Sequence, residues 1–226
     1  MTALPVQGAL TAPAEDCLKA IYDLERSSHG AAVTTNDLAH RLDLAAASVT
    51  GMVKRLADQG LIDHAPYRGV RLTESGRRAA LRTLRRHRVI ETYLVQVLGF
   101  GWDRVHAEAE RLEHAASDEL VDRMAATLGD PATDPHGAPI PTREGGIAEG
   151  PAGRALSELA AGERGVVARV EDEDADRLRY LASLGVVPGV AVEVVERAPF
   201  GGPVSLRVAG ESRLIGPQLA EQVMVV

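Results

Sequence analysis

The hydrophobic pattern of this chain changes period once, and that change dictates a composite fold. Up to Leu128, apolar residues recur mostly at the helical spacing of three and four. From Gly165 onward they fall in short Val-rich runs bounded by Gly or Pro: Gly165 to Val170, Val190 to Val195 and Val204 to Val208. Between these regions, Gly129 to Gly153 is rich in Pro, Gly and small residues, as suits a linker or an irregular crossing segment. The fold class that follows is mainly α with small β. The C-terminal β part reads as a small barrel carrying one short helix, Ala175 to Leu184.

The helical part has its own order. Cys17, Leu18, Ile21, Tyr22 and Leu24 mark a first helix. Thr34-Thr35-Asn36-Asp37 is an N-cap region ahead of Leu38, Ala39 and Leu42. Ser48 to Gln59 forms the next helix, with Val49, Met52, Val53 and Leu56 on one face and Gly60 closing it. Two apolar runs, around Leu61-Ile62 and Val70-Arg71-Leu72, flank a Pro/Gly turn and make a β-hairpin. Helices, tight turn and hairpin in this order are a winged helix-turn-helix. A long Arg-rich helix from about Arg77 to Leu98 follows, Gly99-Phe100-Gly101 breaks it, and Trp102 to Leu128 reads as one further helix.

Charge separates the two halves. The net charge of −7 argues at first against nucleic acid, but residues 1–90 hold 13 Lys+Arg against 9 Asp+Glu, and the rest hold 12 against 23. A mildly basic N-terminal part on an acidic chain fits DNA contact by one module. The lone Cys17 rules out an internal disulfide and any CxxC zinc site. With no apolar run long enough for a membrane span and no basic stretch at the N-terminus, a cytoplasmic location is expected.

Metal-capable residues gather just behind the winged module. His87 and Glu91 are four apart, His106 and Glu110 are four apart, and Glu113 and His114 follow directly. Positions three and four apart share a helix face, so His106, Glu110, Glu113 and His114 form one stripe of imidazole and carboxylate. Such donors suit a divalent transition metal. A set of solvated surface charges is the bland reading of any one of them. A metallohydrolase would need a nucleophile or oxyanion motif that the sequence does not add. A winged-helix regulator with a merely structural metal stays open.

Several segments together resemble the diphtheria-toxin-repressor family of metal-dependent transcriptional regulators, in its three-domain form. They are Leu18-Lys19-Ala20-Ile21-Tyr22, Arg86-His87-Arg88 with Glu91, Val105 through His114, Ser117-Asp118-Glu119, and Asp134-Pro135-His136-Gly137-Ala138-Pro139-Ile140-Pro141. Leu184-Gly185-Val186-Val187-Pro188-Gly189 resembles the SH3-like module shared with ferrous-iron-transport protein A. Residues 1–13, small, polar and Pro-containing, are expected to be disordered, and the resemblance implies a winged helix-turn-helix at 14–76 and a helical dimerisation and metal-binding domain at 77–141. A linker at 142–153 and an SH3-like, FeoA-type domain at 154–226 complete the chain. It further implies a homodimer that binds a palindromic operator in double-stranded DNA and represses metal-uptake genes when loaded with metal.

The family's iron-responsive branch is expected to carry Met and Cys where this chain has Asp16 and Glu110, whereas its manganese-responsive branch carries Asp and Glu. Carboxylates are hard ligands and suit Mn²⁺, with Fe²⁺ the alternative. By resemblance, Asp16, Glu110, Glu113 and His114 form the primary site. His87, Glu91 and His106 form an ancillary site, to which the C-terminal module lends a ligand. Asp174 is a possible one, and the acidic run from Glu171 offers others. Lys19 stands where short-form manganese regulators have a Glu, which argues against their paired cluster. His136 reads as structural. In the recognition helix, Ala45, Ala47, Ser48, Thr50 and Gly51 are small residues at the DNA-facing end, and Lys54, Arg55 and the wing's Arg68 suit phosphates.

Overall fold

The computed structural model describes residues 10–28, 31–65, 69–148, 153–171 and 174–226. They fall into two compact units: Met1–Arg85 with Pro141–Gly146, and Arg86–Ile140 with Ile147–Val226. The expected disorder of residues 1–13 concerns mainly residues 1–9, which lie outside the described residues. Ala12 and Pro13, by contrast, already belong to the first helix, because proline is tolerated in a first turn whose N–H groups lack partners anyway.

The first unit contains α1 (Ala12–Ser27), α2 (Thr35–Leu42), α3 (Ala46–Asp58), β1 (Ile62–Ala65), β2 (Gly69–Leu72) and the start of α4 (Glu74–Gln96). The Thr34 hydroxyl accepts from the Asp37 amide and opens α2 as an N-cap. Asp43, at φ 51°, makes the tight turn between α2 and α3. Strands β1 and β2 pair antiparallel, Ile62 opposite Leu72. Leu18, Ile21, Leu38, Val49, Val53, Leu56 and Leu81 are buried and form an aliphatic core. Gly76 is required where α4 leaves the hairpin, since a Cβ there would lie 1.9 Å from the Leu61 carbonyl oxygen. Part of the expected linker returns to this unit, where the Arg85 guanidinium donates to the Pro141 carbonyl at 3.1 Å.

Cys17 is wholly buried in α1, and its thiol is pushed up to about 12, first by burial and then by the charge of Asp16. It packs as a small apolar side chain. Iodoacetamide at neutral pH should therefore leave the native protein unlabelled for as long as it stays folded. Labelling at the rate of a denatured control would contradict that burial.

In the second unit the chain after Gly101 forms two helices rather than the single one the periodicity predicts: α5 (Val105–Leu112) and α6 (Asp118–Thr127). The Ser117 hydroxyl accepts from the Leu120 amide and starts α6 afresh. Ile90 and Leu94 of α4 pack with Val105 and Ala109 of α5. Val89 packs with Val121 and Ala125 of α6 and with Ile140.

The C-terminal part is a six-stranded antiparallel sheet of order β3-β8-β4-β5-β6-β7. Its strands are β3 (Arg154–Ala155), β4 (Arg164–Val170), β5 (Ala191–Arg197), β6 (Val204–Val208), β7 (Glu211–Ile215) and β8 (Val223–Val225). Two helices, α7 (Ala175–Ser183) and α8 (Pro217–Glu221), complete it. Leu156, Val167, Leu178, Val194, Leu206 and Val223 fill its core, and Trp102 packs against it. The loop Asp134–Pro139 is held to β4, since the Val170 amide donates to the His136 carbonyl at 2.9 Å. Among the described residues, no helix is long and apolar enough to cross a membrane.

Candidate metal centre

α4 presents His87, Arg88 and Glu91 to the interior, and all three are buried. His87 and Glu91 are one turn apart, so both point into the space that α5 faces with His106 and Glu110. The break at Gly99–Gly101 sets α5 so that His87 and His106 meet, with ring centroids 4.8 Å apart. His87 Nε2 lies 3.0 Å from Glu91 Oε1 and 3.1 Å from His106 Nδ1. On its other side, His87 Nδ1 lies 2.5 Å from Glu113 Oε2 and 3.5 Å from Glu110 Oε1. Glu113 is wholly buried just past the end of α5, and its second oxygen is 3.4 Å from His114 Nε2.

The geometry regroups the residues that spacing had sorted. His87, His106 and Glu110 bring donor atoms within 4.8 Å of one another, so Glu110 stands with the two histidines as well as near Glu113. Asp16 is half-buried on α1 in the first unit, while Glu110, Glu113 and His114 belong to the second. Asp174 caps α7, accepting at Oδ1 from the Asp176 and Arg177 amides, which is what an acidic N-cap residue does. It is in none of the three-residue donor groups found among the described residues.

A further group, Glu91, Asp134 and His136, also falls within 4.8 Å and is buried throughout. Spacing along α4 and α5 did not offer Asp134 or His136, because the loop that carries them closes a contact more than forty residues away in sequence. The Asp134 Oδ1 accepts from the amides of His136 and Ala138 at 2.8 and 2.9 Å. Its Oδ2 faces the Arg88 guanidinium at 3.3 Å.

Protonation follows this crowding. Burial pushes Glu91 up, but the charge of His87 and the contacts of His106, His136 and His87 outweigh it and hold the carboxyl well below its usual range. Burial pulls His136 down, and its contact with Glu91 and the charges of Glu91 and Asp134 turn that into a net rise. Asp134 is raised by burial and by Glu91, against the pull of Arg88 and His136. Carboxylates and imidazoles that share protons at such distances are a donor set for a cation, and a cation entering there would displace those protons. With oxygen and nitrogen donors and no sulfur, the set fits a first-row divalent ion.

On α3 and at its start, Ala45, Ala47, Ser48, Thr50, Gly51, Lys54 and Arg55 are all exposed, whereas Val49, Met52, Val53 and Leu56 are buried. The first amides of α3 have no side-chain cap, which leaves donors suited to phosphate oxygens. The Thr50 hydroxyl donates to the Ala46 carbonyl at 2.8 Å, so toward DNA it can only accept. Arg68 lies outside the described residues.

Residues 9–70 match the sequence family described as iron dependent repressor, N-terminal DNA binding domain. Residues 73–142 match iron dependent repressor, metal binding and dimerisation domain, and residues 154–226 match the FeoA domain. The iron-dependent repressor IdeR of Mycobacterium tuberculosis (strain ATCC 25618 / H37Rv) is 38% identical over 224 residues, covering 92% of this chain and 94% of that protein. A solved manganese-dependent transcriptional repressor in complex with manganese is 42% identical, with a TM-score of 0.85 over 94% of this chain and 99% of that one. ScaR with bound Zn²⁺ is 30% identical, with a TM-score of 0.79 over 94% and 98% of the two chains.

Proposed function

The chain belongs to the iron-dependent repressor family of metal-dependent transcriptional regulators, and we propose that it answers to manganese and represses metal-uptake genes. Members of this family are DNA-binding repressors, not enzymes, so the buried His/Glu core serves ligand binding rather than catalysis. DNA binding, divalent-metal binding and homodimer formation come with the family's domains. Exposed Val97, Leu98, Phe100, Leu112 and Leu120, on and beside the helices of the dimerisation region, support that face as the dimer contact. A palindromic operator is the target that a two-fold dimer matches.

The donor set is the observation that carries the manganese reading. Asp16 and Glu110 supply hard oxygen where the iron branch is expected to have sulfur, and Cys17 is sealed inside α1. Iron is the second reading, favoured by the 38% identity to an iron-dependent repressor. On the first reading Asp16, Glu110, Glu113 and His114 hold the switch metal, and His87, Glu91 and His106 the supporting one, with Asp134 and His136 added to it. Bound there, the cation supplies the positive charge that offsets the gathered carboxylates. From the C-terminal module, Glu171 replaces Asp174 as the ligand we favour, because its neighbour Val170 is bonded to His136.

The test is a DNA mobility shift on the chain's own upstream region and nearby transporter promoters, with Mn²⁺, Fe²⁺, Zn²⁺ and chelator. Mn²⁺ should tighten binding by roughly the 5–150-fold typical of allosteric coupling. Equal affinity with metal and with chelator would sink the repressor mechanism, and tightening by Fe²⁺ alone would transfer it to iron.

A further inference from the structure

Glu91 has two oxygens, and each faces a different set of imidazoles. Its side chain is buried on α4 at 2% exposure. Oε1 lies 3.0 Å from His87 Nε2 and 3.4 Å from His106 Nδ1. Oε2 lies 3.8 Å from His136 Nδ1. His87 Nε2 and His106 Nδ1 lie 3.1 Å apart on one side, and donor atoms of Asp134 and His136 close with Glu91 within 4.8 Å on the other.

The His136 ring is set for this. Its Nε2 is 2.9 Å from the Trp102 carbonyl oxygen, which can only accept, so the hydrogen sits on Nε2. In the neutral ring the Nδ1 lone pair then points at Glu91, the orientation in which metal-bound histidines are held by a second partner. At 3.8 Å the Nδ1–Oε2 separation is beyond a good hydrogen bond. It is within the span of two donors that each sit about 2.0–2.2 Å from one ion. Asp134 is fixed by the amides of His136 and Ala138, and the Arg88 guanidinium balances its charge.

We propose that Glu91 is a bridging carboxylate that serves two metal ions at once. His87 Nε2 and His106 Nδ1 hold one ion against Oε1, and Asp134 and His136 hold the other against Oε2. The supporting site is then a pair of sites with a shared wall, and neither has its full ligand set without the Glu91 carboxylate. This rests on the metal-binding reading above and goes beyond it in number and connection of ions. The shared carboxylate also lowers the mutual repulsion of two close dications, which is why one residue placed between them suffices.

The experiment uses demetallated full-length protein and Mn²⁺ alone, in a His114→Ala background that disables the switch site. Calorimetry gives the stoichiometry, and electron paramagnetic resonance reports whether bound ions are isolated or exchange-coupled. Two ions per protomer are expected, with the spectrum of a coupled pair. Adding His106→Gln or His136→Gln should remove one ion each and restore the signal of an isolated ion. Adding Glu91→Gln, which keeps the side-chain volume, should weaken both sites at least tenfold. One ion or none in the His114→Ala background overturns the proposal. So do two uncoupled ions, or a Glu91→Gln effect confined to one site. Mobility shifts on the unsubstituted protein separate this failure from that of the repressor reading: metal-independent operator binding overturns that reading, whereas metal-dependent binding with isolated ions overturns the bridge alone.

Discussion

Replacing Glu113 with alanine is expected to abolish metal-stimulated DNA binding. Glu113 is wholly buried, and its two oxygens stand between His87, at 2.5 Å, and His114, at 3.4 Å. It thus joins an imidazole of the supporting set to one of the switch set. Without it, operator affinity in Mn²⁺ should fall to the value in chelator, a loss of the whole coupling, roughly 5–150-fold. Glu113→Gln keeps the volume and removes the charge, and it should lose the response equally. If the glutamine variant answers to Mn²⁺ like the unsubstituted protein, Glu113 is not a ligand and its burial has a structural cause. His87→Ala should weaken the response without abolishing it, because that ring belongs to the supporting set, with Nε2 facing Glu91 and Nδ1 facing Glu113 and Glu110.

The second large effect is one of packing. Gly137 has φ +86°, and a Cβ there would lie 2.0 Å from the Ala168 carbonyl oxygen and 3.0 Å from Arg169 Cα. Both neighbours are backbone of β4, so neither can swing aside. Gly137→Ala therefore forces the Asp134–Pro139 loop away from the sheet, at a cost of about 3 kcal/mol or more. At roughly 2–4 °C per kcal/mol for a unit of this size, its calorimetric transition should drop by about 6–12 °C. An unchanged transition would mean that the loop is not clamped there. The same variant should lose metal from the Asp134–His136 group first, since both residues ride on that loop.

How much of this was legible in the sequence depended on distance along the chain. The faces of α1 and α3 and the whole of β6 followed from local periodicity, which needs no tertiary information. The division into α5 and α6 was missed although Ser117 marks it, because apolar residues continue at helical spacing through Ala115 and Ala116 and mask the cap. Strand β7, Glu-Ser-Arg-Leu-Ile, is an edge strand with Leu214 exposed, so it lacks the Val-rich signature that betrayed its neighbours. At the site, His87, Glu91 and His106 were readable as one group by resemblance, and the helix break brings them together. Asp134 and His136 were not, since a loop closing on α4 from beyond α6 leaves no periodic trace. For Asp174 the sequence left two roles open, since an acidic residue one place before a helix is as good a cap as it is a ligand, and the structure shows the cap.

Trp102 is the only tryptophan in the chain. Its ring lies 5.3 Å from that of His136, and its indole N–H is buried with no hydrogen-bond partner among the described residues. The indole thus sits, half-buried, against the imidazole that stands with Glu91 and Asp134, and packs on the C-terminal sheet's core. Its emission is a native gauge of what that imidazole is doing: a proton or a paramagnetic ion on the ring quenches it, and release restores it. Loading at the loop can therefore be followed in real time, in the unlabelled protein and with operator DNA present, independently of any change at His114.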